Sequence, residues 1–180
     1  MAKVLIPLPR KDFDPSEAAV SWSVLKQFGH SVNFATPDGR PAEADDMMLS
    51  GQGLDVWGFL PGLKHVAAIG RLMRANADAR AAYARMQADP AYQAPVSWAQ
   101  IRDEDFDGLL LPGGHRARGM REYLESETLQ RLVADFFAAG SSCHSLMPPR
   151  RPSVLLTVLT FGGSLKSIVA ALPPPIYSRS

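Results

Sequence analysis

Short apolar runs alternate with capped helices in the first part of the chain, and this alternation limits the possible folds most. Residues 4–8 form a wholly apolar run, which is typical of a strand covered on both faces. A helix begins after Asp14, which is suited to be its N-cap, and Pro15 suits the first helical position. Residues 32–35 then read as a second strand. A strand, a helix and a strand joined this tightly predict a right-handed parallel βαβ unit.

The same alternation returns further along the chain. Residues 106–114 read as a buried strand that runs into the pair Gly113-Gly114. A helix is predicted to begin at Ser126 and to end at Gly140, and another is predicted over residues 76–88. We therefore expect an α/β domain: a doubly wound, mostly parallel sheet with helices on both faces.

Composition excludes several classes of protein. The chain has 180 residues, which is enough for one domain, and a formal net charge of +1, which gives no reason to expect nucleic acid as a partner. Its single cysteine, Cys143, rules out an internal disulfide, so a cytoplasmic location is expected. The four histidines lack metal-ligand spacing, so neither a metal nor another cofactor is expected. No apolar stretch reads as a membrane span.

The last part of the chain differs from the rest. All 18 acidic residues lie at or before Asp135, and the last 45 residues contain none. Six of the 15 prolines fall in those same 45 residues, and proline clusters interrupt helices and central strands alike. The chain is therefore divided into residues 1–140, with an insertion at about 40–100, and an atypical tail over residues 141–180. The tail resembles an unrelated reading of the same gene, through a frameshift or a miscalled end.

Two segments carry a family resemblance: KVLIPLPRKDFDPSEAAVSWSVLKQFGHSVNFATPDG at residue 3 and DFDGLLLPGGHRARGMREYLESETLQRLVADFFAAG at residue 105. They resemble the PfpI/DJ-one superfamily of class I glutamine amidotransferase-like proteins, which includes peptidases, glyoxalase-III-type enzymes and stress chaperones. The resemblance covers about residues 3–140. It implies a flavodoxin-like fold, and the insertion matches the cap of the longer family members.

The resemblance also implies a site. The family places a nucleophilic cysteine on a sharp strand-to-helix turn, the nucleophile elbow, and Cys143-His144 match the cysteine and its neighbour. Glu17 matches the acidic residue that contacts the thiol, and Gly113-Gly114 match the turn whose backbone N–H groups help to form an oxyanion hole. His115 follows the glycine pair and is expected to line or border the pocket.

Each of these residues also has a purely structural interpretation. Glu17 stands three residues after the helix cap, so it could simply complete a capping box. Gly113-Gly114 could be a turn that needs positive φ, and a lone cysteine is commonly a small buried hydrophobe. If the functional interpretation is right, Glu17 and the glycine pair must lie together at the carboxyl edge of the sheet.

The tail departs from the family pattern. Only Ser141 and Ser142 separate Gly140 from Cys143, and two residues cannot form the buried strand that precedes the elbow in the family. The C-terminal strands of the fold are therefore expected to be atypical or missing. Residues 154–160 are the segment best suited to join a sheet edge, because they are rich in β-branched residues.

Three functions follow from the resemblance and stay open here. The first is a cysteine-dependent enzyme, a hydrolase, glyoxalase-III-like lyase or deglycase, that acts on a small carbonyl or amide substrate and is impaired by its divergent C-terminus. The second is a non-catalytic stress chaperone or redox-responsive module. The third is an inactive truncated remnant. A homodimer is expected.

Overall fold

Strands and helices alternate along the chain as the sequence pattern predicts. The computed structural model describes residues 1–50, 76–114, 117–141, 154–161 and 164–169. Its strands are β1 (Lys3–Pro7), β2 (Lys11–Phe13), β3 (Ser31–Thr36), β4 (Glu43–Ala44), β5 (Val96–Ser97), β6 (Gly108–Leu111), β7 (Val154–Phe161) and β8 (Ser164–Val169). Its helices are α1 (Pro15–Gln27), α2 (Asp46–Ser50), α3 (Ala77–Gln87), α4 (Pro90–Gln93), α5 (Ala117–Leu124) and α6 (Glu127–Ser141).

The main sheet has six strands in the order β5-β3-β1-β6-β7-β8. All neighbours pair in parallel except β7 and β8, which are antiparallel. A separate two-stranded sheet joins β2 to β4 in parallel, and the sequence pattern did not predict it. The doubly wound, mostly parallel architecture is therefore confirmed.

Helices cover both faces of the sheet because the apolar residues of each strand alternate between two cores. Val4 and Ile6 of β1 point to one core, with Trp22 of α1. Leu5 points to the other core, with Leu132 of α6. The crossovers through α1 and α6 therefore lie on opposite faces of the sheet.

The start of α1 is formed as the sequence predicts. Asp14 is extended at φ −74° and ψ 115°, and its side chain accepts hydrogen bonds from the backbone N–H groups of Ser16 and Glu17. Pro15 occupies the first helical position, where a missing N–H costs nothing. The helix is followed by Gly29 at φ 76°, a backbone conformation that side chains with a Cβ rarely adopt.

Two expectations concern the end of the chain, and the first needs correction. Helix α6 does not end at Gly140 but includes Ser141, so its C-terminus lies one residue later than expected. Residues 154–160 do join the sheet beside β6, but β8 pairs on the other side of β7 and takes the edge position. The C-terminal strands are thus not missing, and their antiparallel pairing departs from the rest of the sheet. The boundary at residue 140 stays a prediction.

Candidate functional site at the carboxyl edge

The strand order itself indicates where a ligand would bind. From β1 the chain crosses over α1 to β3 on one side, and from β6 it crosses over α6 to β7 on the other side. Neighbouring strands whose crossovers leave in opposite directions form a topological switch point, and open α/β sheets bind ligands in the crevice at the carboxyl ends of such strands. Here the switch point lies between β1 and β6.

Glu17 and Gly113 meet at this switch point. The Gly113 backbone N–H donates a hydrogen bond of 2.6 Å to Oε2 of Glu17, across 96 positions of sequence. Glu17 therefore does not complete a capping box, because its carboxylate binds the turn after β6. The Asp14 N–H, which a capping box would use, instead donates to the Gly113 carbonyl at 2.9 Å. The predicted proximity of Glu17 and the glycine turn is confirmed, and its chemical role stays a prediction.

Close packing, not positive φ, explains the second glycine of the turn. Among the described glycines only Gly29 and Gly39 have positive φ. A Cβ on Gly114 would lie 2.6 Å from the carbonyl oxygen of Asp12, closer than real Cβ contacts come. A Cβ on Gly119, in α5, would likewise collide with the Lys11 carbonyl oxygen. The turn and the helix after it therefore pack directly on the backbone that follows β1.

Asp12 lies between these two glycines in an unusual backbone conformation. Its φ is 68°, and it is the one residue other than glycine with positive φ in the described part of the chain. Aspartate tolerates this left-handed region better than most residues do. Its side chain is buried, which is rare for a carboxylate.

A buried tyrosine that the sequence did not single out lies under the site. Tyr123 of α5 donates its hydroxyl to the Pro7 carbonyl at 3.2 Å and packs edge-on against Trp98. Burial raises the pKa of Tyr123 strongly, and the Glu17 carboxylate raises it further. Tyr123 follows Gly119 by four residues and so shares its helix face, which is the sequence signal that could have revealed it.

Ion pairs of Arg10 connect the exposed loops at the same edge of the sheet. Arg10, just after β1, lies 3.6 Å from Asp38 and 3.7 Å from Glu122, and its backbone N–H donates to Glu122 at 2.9 Å. These ion pairs are partly exposed, so each contributes little to stability by itself. Together they join the loops that follow β1 and β3 to helix α5.

Three predicted site residues, Cys143, His144 and His115, lie outside the described residues. In the sequence Cys143 and His144 stand between the described elements α6 and β7. Because β6 and β7 are parallel, the chain must return from the carboxyl edge to the amino edge between them, and α6 supplies that return. In chain order Cys143 therefore comes before the strand beside β6, whereas the family's elbow follows its strand.

Neither a metal site nor a membrane span is found in the part of the chain that the structure describes. Its histidine, aspartate and glutamate side chains form no group of three that could hold a metal ion. None of the described helices has both the length and the apolar character needed to cross a bilayer. Within those same ranges, a cavity of about 180 Å³ is lined by residues that include Ile101 and Leu132 but neither Glu17 nor Gly113.

The comparison that decides the family is a match of the sequence profile of the ThiJ/PfpI-like family to residues 8–162. The chain belongs to the PfpI/DJ-1 superfamily. The matched range runs past residue 140 and includes Cys143, His144 and strand β7. The family match is therefore longer than the resemblance that the sequence motifs carry.

The chain is also similar to a curated protein and to solved structures. An uncharacterised protein of Schizosaccharomyces pombe is 28% identical over 136 residues, which cover 74% of this chain and 45% of that protein. The 24 kDa rapid encystment protein of Francisella tularensis has a similar structure, with a TM-score of 0.51, 12% identity, and coverage of 77% of this chain and 56% of that one. A DJ-1 superfamily protein of Agrobacterium tumefaciens matches with a TM-score of 0.42 and 19% identity, over 77% and 49% of the two chains.

The match to the Francisella tularensis structure, with its TM-score of 0.51, supports the flavodoxin-like fold. The chain spans about half the length of the relatives it matches.

Proposed function

We propose that this superfamily member acts on a small carbonyl or amide compound bound at the switch point, as a cysteine-dependent hydrolase, glyoxalase-III-like lyase or deglycase. The observation that carries the proposal is the 2.6 Å hydrogen bond from the Gly113 N–H to Glu17, which brings the two matched site elements together. The location agrees with the general rule for open α/β sheets.

In this proposal the Cys143 thiolate attacks the carbonyl carbon of the substrate, and the carbonyl π-electrons move to the oxygen. The thiol proton leaves to a base, for which His144 is the neighbouring candidate. Because the Gly113 N–H already binds Glu17, the Gly114 N–H is the amide of the turn assigned to the developing oxyanion. Glu17 sets the ionisation of the thiol, and His115 borders the substrate.

Activity assays on the purified chain test this proposal. The substrates are a 2-oxoaldehyde, an activated ester and an activated amide. Cys143→Ala should abolish turnover, and Glu17→Gln should lower kcat/KM by at least about tenfold, the range of a lost catalytic hydrogen bond. Glu127→Gln serves as the matched control, because Glu127 begins α6 as an exposed first-turn residue and should have no effect. Equal turnover in Cys143→Ala and wild type would exclude cysteine dependence.

A second candidate is a non-catalytic stress chaperone or redox-responsive module. The specific observation in its favour is the chain order, since Cys143 precedes the strand beside β6. A chaperone should suppress aggregation of a thermally unfolding client protein equally well with and without Cys143. A redox module should lose its response to peroxide in Cys143→Ala, because the chain has no other thiol. An inactive remnant would fail all of these assays.

We also propose that the chain forms a homodimer in the cytoplasm. Val20 and Val24 of α1 and its C-cap residue Phe28 form an apolar stripe at four-residue spacing, with 44%, 44% and 74% of their surfaces exposed. A two-fold axis near Val24 would bring the stripes of two copies together, as in an isologous contact. Sedimentation of wild type and Val24→Glu tests this: the variant should sediment as a monomer, and an unchanged dimer would exclude the stripe as the interface.

A further inference from the structure

Three hydrogen bonds close a ring between the start of α1 and the turn after β6. The Asp14 N–H donates to the Gly113 carbonyl at 2.9 Å, and the Glu17 N–H donates to Oδ1 of Asp14 at 3.2 Å. The Gly113 N–H then donates to Oε2 of Glu17 at 2.6 Å. Each of the three residues is bound to both of the others, and Gly113 is far from the other two in sequence.

Asp14 differs in this respect from an ordinary helix cap. An N-cap side chain satisfies N–H groups of its own helix, as Asn76 does for Ala79 in α3 at 2.7 Å. Asp14 does the same for Ser16 at 2.7 Å, but its backbone also binds the Gly113 turn. The side chain of Asp14 is almost fully buried, which removes the solvent that would otherwise compete for these bonds.

We propose that Asp14 is a positioning residue of the carboxyl-edge site, which holds the Glu17 carboxylate on the Gly113 N–H. The bond from Glu17 to Gly113 needs the first turn of α1 to be formed, since otherwise the Glu17 side chain leaves the turn. Asp14 anchors that first turn through its side chain and anchors the Gly113 turn through its backbone. Its importance for activity rests on the proposed function, whereas its effect on the bond does not.

The amide proton of Gly113 reports directly on this bond. When a carboxylate that accepts an N–H becomes protonated, the chemical shift of that N–H changes, so a pH titration by NMR follows Glu17 at Gly113. Glu17→Gln gives the part of the change at Gly113 that does not come from Glu17. The measurement uses the full chain and requires neither substrate nor Cys143.

Replacement of Asp14 should break the ring without removing Glu17. Asp14→Ala should lose most of the Gly113 titration amplitude, down to the level of Glu17→Gln. Asp14→Asn keeps an oxygen acceptor and should retain the amplitude. Asn76→Ala removes a comparable cap from α3, so it should lower stability similarly while leaving the Gly113 titration at the wild-type level.

Asp14→Gly guards against a folding failure of Asp14→Ala, because glycine is a tolerated N-cap but has no side-chain acceptor. It should lose the amplitude in the same way. A wild-type Gly113 titration in folded Asp14→Ala or Asp14→Gly would overturn the inference, and an equal loss in Asn76→Ala would reduce it to general destabilisation. Loss of the Gly113 titration together with full activity of Cys143→Ala would instead support the positioning role and exclude the proposed enzyme.

Discussion

The two halves of the sheet, on the β1 side and on the β7 side of β6, are connected in different ways. On the β1 side, the turn after β6 is bound to α1 through the hydrogen bonds of Gly113, and α5 packs on the backbone at Lys11. On the β7 side, β7 is joined to β6 by parallel pairing at four positions, and β8 is joined to β7 as an antiparallel neighbour. The site residues that the structure describes, Glu17, Gly113 and Gly114, belong to the first side.

This difference shows which site residues of the family can be assigned to this chain from sequence motifs alone. Glu17 and the glycine pair are held by local features, a helix cap and a tight turn, and the structure places them together. The cysteine of the family depends on the strand that precedes it, and here the strand beside β6 begins eleven residues after Cys143. A matching dipeptide therefore does not by itself establish a matching elbow.

Truncation of Leu110 should give the largest loss of stability. Leu110 of β6 is fully buried in the core that contains Trp22, at the boundary between the two sides of the sheet. Leu110→Ala should reduce the free energy of unfolding by about 2–5 kcal/mol, measured by urea denaturation. Leu124→Ala is the matched control, because Leu124 is 47% exposed, and it should change stability by about 0.5 kcal/mol at most. An equal loss of stability in Leu110→Ala and Leu124→Ala would contradict the assignment of Leu110 to the core.

A proline in β7 tests whether the C-terminal strands are part of the sheet. Thr157 pairs with Leu111 of β6 and with Ile168 of β8, so it is interior to the ladder. Thr157→Pro removes an N–H and should lower Tm by more than about 3 °C, since 1 kcal/mol corresponds to about 2–4 °C for a chain of this size. Thr157→Val, which keeps the N–H, should not. An unchanged Tm in the proline variant would contradict the pairing of β7 within the sheet.

Alanine at Gly119 separates close packing from helix propensity. Alanine inside a helix is normally favoured over glycine by about 0.8–1 kcal/mol. At Gly119 the added Cβ meets the Lys11 carbonyl oxygen, so Gly119→Ala should instead destabilise by about 1–3 kcal/mol. At Gly29, where nothing lies within 4 Å, alanine should cost about 1–2 kcal/mol through its positive φ alone. Stabilisation by Gly119→Ala would contradict the contact between α5 and Lys11.

The buried tyrosine under the site should make stability depend on alkaline pH. Burial raises the pKa of Tyr123 in the folded state, so above about pH 10 the unfolded chain releases a proton that the folded chain keeps. Its contribution to stability is complete below pH 10 and is lost as the pH rises further. In Tyr123→Phe the decline of unfolding free energy above pH 10 should be shallower by about 1.4 kcal/mol per pH unit. If the free energy of unfolding declined equally steeply in wild type and Tyr123→Phe, the burial of Tyr123 would be contradicted.

Much of the fold could be predicted from the sequence, because strands β1, β3 and β6 are apolar and α1 and α3 carry recognisable caps. The two-stranded sheet of β2 and β4 could not be, since strands of two and three residues have no periodic pattern. Tyr123 was missed because a tyrosine in an amphipathic helix reads as an ordinary core residue.

The two interpretations of Glu17 were also inseparable in the sequence, because a capping box and a family carboxylate occupy the same position. Only the long-range partner, the Gly113 N–H, distinguishes them.

Titration of the Cys143 thiol tests the central claim, that Cys143 and Glu17 form one site, most directly. The chain has a single cysteine, so the pH dependence of its alkylation rate reports on that thiol alone. If Glu17 contacts the thiol, its pKa should differ between wild type and Glu17→Gln by more than about half a pH unit, and Glu127→Gln should match wild type. Identical thiol pKa values in wild type and Glu17→Gln would contradict the claim.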